Sequence, residues 1–282
     1  MSFPSFEEFN ALPKSHISAH VPETVIYNVS GSRRAAALIG KPTAGDGYLI
    51  WSHRQMIRCL KILFDHGVKN VLMPAVTPGL FKETTENYRE HLWRWIDWGF
   101  ASDETLAEFQ ELNWNVRIIF SEFIPELGHT HERLNQIEMK EGRPNLWVSV
   151  ASSHNQMMEW MLQKIQLHGP VANTTDAIKL LYGADIPPAK LFLDFGKPIV
   201  SSDVVPPFLT GIMNCYWSQQ PGYSLTCESF RKILYDYLYV RKTWQSDKSD
   251  RTVNVLNDKD QWEQLKIIGL GKKLGPYWYP ID

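Results

Sequence analysis

Two adjacent arginines that follow a turn of small residues are the part of this chain best suited to chemistry. They close the segment Val25-Ile-Tyr-Asn-Val-Ser-Gly-Ser-Arg-Arg34, in which an apolar run typical of a strand leads into the turn. Glycine lets the backbone approach a ligand closely, serines offer hydroxyl and amide donors, and guanidinium groups bind phosphate oxygens in pairs. The segment therefore predicts a phosphate or diphosphate site, although a solvated turn whose arginines pair with surface carboxylates has the same composition. The predicted anion-binding residues are Ser30, Gly31, Ser32, Arg33 and Arg34.

The near-neutral overall charge means that an anionic ligand must be bound by a local cluster of basic residues. With 282 residues, 44% of them hydrophobic, 21% charged and a formal net charge of -2, the chain suits one globular enzyme domain over 1–282 and offers no broad positive field for nucleic acid. Its apolar runs are shorter than a membrane span and no secretory pattern is present, so we expect a cytosolic protein without stable membrane insertion. We expect the aromatic C-terminal segment 246–282 to dock on the core or on a partner subunit.

The histidine and cysteine patterns do not predict a metal centre. Cys59, Cys215 and Cys227 lack paired spacing, which argues against a disulfide framework and against a zinc site. His129 and His131 alternate as strand ligands could, but a glycine and a proline precede them and indicate a loop that leads into a helix. We therefore predict no metal ligands in either set.

Alternating β-rich and helical segments predict the elements that hold the arginine turn. Parallel strands joined by crossover helices give such a pattern, so we predict an α/β fold with a central, mostly parallel sheet flanked by helices. The predicted strands are 24–29, 70–76, 116–120, 146–151, 191–195 and 212–217, and the predicted helices are 49–66, 86–98, 103–112, 155–167 and 228–243. Met157, Met158 and Met161 are interpreted as core residues of the fourth helix.

Three segments, taken in order, resemble the cis-prenyltransferase superfamily and, within it, the diterpene-forming branch typified by tuberculosinol synthase. The turn at 29–34 is similar to the Asp-Gly-Thr-Arg-Arg loop of that branch. Tyr48 and the segment 54–74 are similar to its first helix, the glycine that stops this helix and the second strand, and the segment 229–241 is similar to its C-terminal helix. The resemblance covers nearly the whole chain and implies the fold of the superfamily.

Departures from the family pattern bear on metal binding and on the number of substrates. Chain-elongating relatives hold magnesium through the loop aspartate and a later glutamate, and Ser30 and Asn214 stand at these positions here. The resemblance therefore implies an enzyme that requires no magnesium or other cofactor. The segment 194–197 replaces the motif that binds a second prenyl diphosphate, so one diphosphate site is implied instead of two.

The implied reaction is ionisation of one prenyl or cyclic terpenyl diphosphate, which yields a terpene alcohol or olefin. Cleavage of the C–O bond leaves a carbocation, and aromatic faces can stabilise it. Tyr48 and Tyr88 match active-site tyrosines of the branch, although tyrosines that straddle core and solvent have the same pattern. Asp46 and Asp194 are the candidate acceptors of the final proton, unless the released diphosphate takes it.

Two other functions fit parts of the pattern. A condensing cis-type prenyltransferase would need a second substrate site, whereas the non-catalytic subunit of a heteromeric prenyltransferase would explain the missing carboxylates. Arg33 and Arg34 are retained and the Arg-x-Gly tail of such subunits is absent, which argues against the subunit. We expect a homodimer that acts on a prenyl or terpenyl diphosphate.

Overall fold

A parallel six-stranded sheet forms the centre of the molecule. The computed structural model describes residues 4–82, 85–196, 204–218 and 220–240, together with two strands near the C-terminus. The strand order is β3-β4-β2-β1-β5-β6, and all five pairings are parallel. The strands are β1 Thr24–Asn28, β2 Asn70–Val76, β3 Asn115–Ile119, β4 Asn145–Val150, β5 Ala189–Phe195 and β6 Thr210–Ser218. The predicted strands and the predicted fold class are confirmed.

Helices cover both faces of the sheet. They are α1 Phe6–Ala11, α2 Lys14–Ser18, α3 Ser32–Leu38, α4 Gly45–Asp65, α5 Pro78–Lys82, α6 Glu86–Ala101, α7 Asp103–Glu111, α8 Gly128–Gln136, α9 Gln156–His168, α10 Thr174–Tyr182 and α11 Cys227–Tyr235. Short 3-10 turns occupy Ser121–Phe123 and Pro125–Leu127, and a π-helical turn over Asp236–Val240 follows α11. No helix within these described ranges is long and apolar enough to cross a bilayer.

Burial on both faces explains why the strands are almost continuously apolar. Val25 and Tyr27 pack into one core cluster with α1, α4, α6 and α11, whereas Ile26 between them packs into a second cluster with α9 and α10. Met157 and Met161 lie in the second cluster, which confirms their interpretation as core residues. The same interpretation of Met158 is wrong, because its side chain is exposed.

Three helix predictions need correction. Helix α4 begins at Gly45 and not at residue 49. Its second residue is Asp46, and a negative charge in the first turn stabilises this earlier start through its interaction with the helix dipole. His129 and His131 lie inside α8, which begins directly after the turn at Pro125–Leu127, and not in a loop. The regular part of the last long helix ends at Tyr235 and changes to the π-helical turn, in which Asp236 is buried and accepts a hydrogen bond from the Tyr216 hydroxyl at 2.8 Å.

The C-terminal prediction falls mostly outside the described residues. The structure describes an antiparallel hairpin of β7 Gly271–Leu274 and β8 Tyr277–Pro280, and nothing of 241–270. Docking of this segment, and the treatment of 1–282 as one domain, therefore stay predictions.

Candidate active site

The arginine turn lies at the carboxyl end of β1, between β2 and β5 in the sheet. In open parallel sheets ligands bind beyond these strand ends. Gly31 has a left-handed backbone with φ of 75°, and a Cβ added there would come within 2.9 Å of the Arg34 side chain and 3.1 Å of Pro221 Cβ. The backbone turns sharply at this glycine and enters α3 at Ser32, which is the geometry that the composition of the turn predicts.

A cavity of about 660 Å³ opens beside the turn. Its volume lies within the usual range for small-molecule sites. Seven of the nine residues predicted for the site line this cavity, and they are Ser30, Gly31, Ser32, Arg33, Asp46, Tyr48 and Tyr88. We call residues 30–33 the anion end of the cavity. The structure thus brings the turn, the start of α4 and the start of α6 together around one space.

Contacts at the anion end link its polar groups to two tyrosines. The hydroxyls of Ser32 and Tyr48 share a hydrogen bond of 2.7 Å. The guanidinium carbon of Arg33 lies 3.9 Å from the centroid of the Tyr88 ring, a cation–π contact. Burial raises the pKa of Tyr88 above its ordinary value, and the nearby Arg33 charge offsets part of this increase. Tyr88 therefore stays neutral and supports the arginine with its ring face.

The other two predicted site residues do not line the cavity. The Arg34 guanidinium lies beside Gly31, and one of its nitrogens would be 3.6 Å from a Cβ at Gly196. Asp194 is 1% exposed and accepts hydrogen bonds from the Asn28 side chain at 2.9 Å and from the Phe195 amide at 2.8 Å. Asn28 does line the cavity, so Asp194 reaches it through this asparagine. The proposed roles of Arg34 and Asp194 stay predictions.

Several cavity residues were missed by the sequence analysis. Helix α6 contributes His91, Leu92 and Trp95, which lie at helical spacing from the predicted Tyr88, and residues 77–79, where β2 leads into α5, also line the cavity. The spacing of the α6 residues was the signal that could have found them, because positions i, i+3, i+4 and i+7 share one face of a helix. Arg94, His154 and Tyr223 are further polar and aromatic residues of the cavity wall that were not predicted. We call Tyr48, Tyr88, Trp95 and Tyr223 the aromatic wall.

The described cavity wall offers few carboxylate ligands for a magnesium ion. Asp46 is the one carboxylate among the described residues that line the cavity, and those residues hold no cluster of three histidine, cysteine, aspartate or glutamate side chains that could bind a metal ion. Asn214 pairs with Leu191, so it lies three residues, or about 10 Å, before the level of Asp194 along the sheet. Magnesium is commonly held by one or two carboxylates together with substrate phosphates. The described wall supplies at most one such carboxylate, and the absence of a magnesium requirement stays a prediction.

The six-stranded parallel sheet with flanking helices is similar to the structures of cis-prenyltransferases. The chain is similar to a lavandulyl diphosphate synthase from Lavandula x intermedia, with a TM-score of 0.56, 13% identity and coverage of 79% of this chain and 96% of that one. It is equally similar to a protein from Campylobacter jejuni described as a probable undecaprenyl diphosphate synthase, with a TM-score of 0.56, 13% identity and coverage of 80% and 98%. These likenesses define the fold.

Sequence relatives define the branch. A (+)-kolavelool synthase of Herpetosiphon aurantiacus is 43% identical over 277 residues, which cover 98% of this chain and 96% of that protein. A tuberculosinyl adenosine transferase of Mycobacterium tuberculosis is 23% identical over 301 residues and covers 99% of both chains. No protein-family profile matches the chain. The chain belongs to the cis-prenyltransferase-like terpene synthase family.

Proposed function

We propose that this protein is a diterpene synthase that binds one terpenyl diphosphate in the cavity and ionises its C–O bond. The observation that carries the proposal is the composition of one cavity, whose lining combines Arg33 and the Gly31–Ser32 turn with the four residues of the aromatic wall. Its relative with 43% identity is named as a synthase of a terpene alcohol, which supports a reaction of this kind.

The anion end acts on the leaving group. When the C–O bond breaks, its electron pair goes to the diphosphate oxygen, and donors aimed at that oxygen lower the barrier. Arg33 supplies a charged donor, and the Ser32 hydroxyl, held by Tyr48 at 2.7 Å, supplies a positioned neutral one. Asp46 lies in the first turn of α4, and in this scheme its carboxylate stabilises the start of that helix and is not required as a base.

The aromatic wall acts on the cation. Ring faces stabilise positive charge, and a dry apolar surface delays capture by water. The cation is quenched either by water, which loses a proton to the released diphosphate, or by direct loss of a proton to diphosphate. The first route gives an alcohol and the second an olefin. We further propose a cytosolic homodimer.

Turnover assays with product analysis test this proposal. Purified protein is incubated with linear and bicyclic diterpenyl diphosphates, and both released diphosphate and organic products are measured. We expect the amount of released diphosphate to equal the summed amounts of diterpene alcohol and olefin. Adenosine is added in a parallel arm because the second relative is named as an adenosine transferase. A prenylated nucleoside as the main product, or chain elongation with an added isopentenyl diphosphate, would contradict the synthase assignment.

A further inference from the structure

The loop at 220–225, between β6 and α11, lies directly against the arginine turn. The Gly222 amide donates a hydrogen bond of 2.5 Å to the Ser30 carbonyl. A Cβ added at Gly222 would lie 2.5 Å from Val29 Cγ1 and 2.9 Å from the Ser30 oxygen, so only glycine permits this approach. The hydrogen bond and the close packing at Gly222 therefore fix the position of this loop relative to the anion end.

The next residue, Tyr223, has an unfavourable backbone conformation that an arginine holds in place. Its φ is 68°, in the left-handed region that non-glycine residues seldom adopt. Arg58 of α4 donates to the carbonyl of Tyr223 and, at 2.7 Å, to that of Leu225. Such conformations persist where the surroundings impose them, and they cluster at ligand sites.

The Tyr223 side chain occupies a fixed place in the cavity wall. Its hydroxyl and that of Ser52 share a hydrogen bond of 2.9 Å. Ser52 lies one turn of α4 from Tyr48 and one turn from Met56, and both of these line the cavity, whereas Ser52 is 1% exposed and does not. The Tyr223 ring therefore covers Ser52 between Tyr48 and Met56. Trp51 contacts the same ring edge to face, with centroids 5.8 Å apart.

We infer that Tyr223 is a cation-facing residue of this site and that Arg58 is the positioning residue that holds it, an inference that rests on the proposed function. Its hydroxyl is not a candidate base, since burial raises the pKa of Tyr223 strongly and Ser52 partners the oxygen. The aromatic ring of Tyr223 is therefore the part of the side chain that can act on the cation, through its π face. It stabilises the cation and excludes water from one side, and thus influences whether alcohol or olefin forms.

Substitutions at 223 test this role against a matched tyrosine. Tyr182 is also 7% exposed and also uses its hydroxyl, which donates to the Pro207 carbonyl at 2.8 Å, but it lies in the second core cluster away from the cavity. We expect Tyr223→Leu to lower kcat about tenfold and to change the alcohol-to-olefin ratio. Tyr182→Leu should lower the melting temperature and leave that ratio unchanged.

A graded series separates ring electrostatics from shape and keeps the test usable if Tyr223→Leu does not fold. In the Ser52→Ala background no hydroxyl is left unpaired, and residue 223 is replaced by phenylalanine and by its mono-, di- and trifluorinated analogues. We expect kcat to fall with each fluorine while KM stays constant. A flat series, or an equal change of product ratio in Tyr182→Leu, would overturn the inference.

The positioning role of Arg58 has its own control. Arg117 is likewise half-buried and donates to three backbone carbonyls, those of Val116, Leu134 and Ile137, and it does not line the cavity. We expect Arg58→Gln to shift the product ratio in the direction of Tyr223→Leu, and Arg117→Gln to affect only stability. Wild-type product ratios in Arg58→Gln would contradict this. If the wild type releases no diphosphate from the substrate panel, the proposed function and this inference fail together, whereas an active wild type with unchanged 223 variants overturns the inference alone.

Discussion

The anion end of the cavity comes from four consecutive residues, 30–33, whereas the aromatic wall is assembled from α4, α6 and the 220–225 loop. The first is a local structure, because one glycine and the start of one helix set its geometry. The second depends on how distant segments pack. We therefore expect substitutions at the anion end to affect ionisation sharply, and substitutions in the wall to affect the fate of the cation more than its formation.

Removal of the cavity-lining arginine should have the largest effect. Arg33→Ala deletes the charged donor at the leaving group, and we expect a loss of about 2 to 4 kcal/mol of transition-state stabilisation in kcat/KM. Arg34→Ala is the matched control, because Arg34 follows in sequence but does not line the cavity, and we expect a smaller loss. Equal losses would show that both arginines contact the diphosphate, and wild-type turnover in Arg33→Ala would contradict the proposed anion end.

Tyr48 links the two regions, so its two roles can be separated. Tyr48→Phe keeps the ring and removes the hydrogen bond to Ser32, and we expect a loss of about 0.5 to 1.5 kcal/mol in kcat/KM. Tyr48→Ala also removes the ring, and we expect a further loss of about 1 to 2 kcal/mol together with an altered product ratio. The measurement is steady-state kinetics with product analysis. Identical behaviour of wild type and both variants would place Tyr48 outside the site.

Substitution of Asp46 shows whether its carboxylate only stabilises the start of α4 or also acts as a general base. Asp46→Asn should lower the free energy of unfolding by about 0.3 to 1 kcal/mol, because a charge is lost at the N-terminus of α4. Turnover should stay within a few-fold of wild type if diphosphate accepts the proton. Thermal unfolding and kcat are measured on the same sample. A fall of about a hundredfold or more in kcat at unchanged stability would instead identify Asp46 as the general base.

Chelation should have the smallest effect. The described cavity wall carries a single carboxylate, so we expect turnover to survive EDTA. Magnesium also binds free diphosphate substrate, so the control compares rates at constant free substrate with and without the metal. Complete loss of activity that magnesium alone restores would show that residues outside the described wall, or the substrate itself, recruit the ion.

The features that could be predicted from the sequence are those formed by residues consecutive in the chain. The bounds of each strand of the sheet were predicted to within two residues. Short apolar runs that alternate with helical segments are typical of the buried strands of a parallel sheet. The Gly31 turn was predicted from its own composition, and the order of three motifs was enough to assign the family. The error at His129 and His131 arose where a preceding proline and glycine outweighed helical continuity.

What the sequence alone did not determine is which distant side chains share the cavity. Tyr223 and Ser52 are 171 residues apart, and no local pattern marks them as partners. The same holds for Arg58 and Tyr223, and for the position of Asp194 behind Asn28 and not on the wall. Propensity and periodicity act over a few residues, so they determine elements and turns. The wall of a cavity depends on the packing of whole elements, and only the tertiary structure decides it.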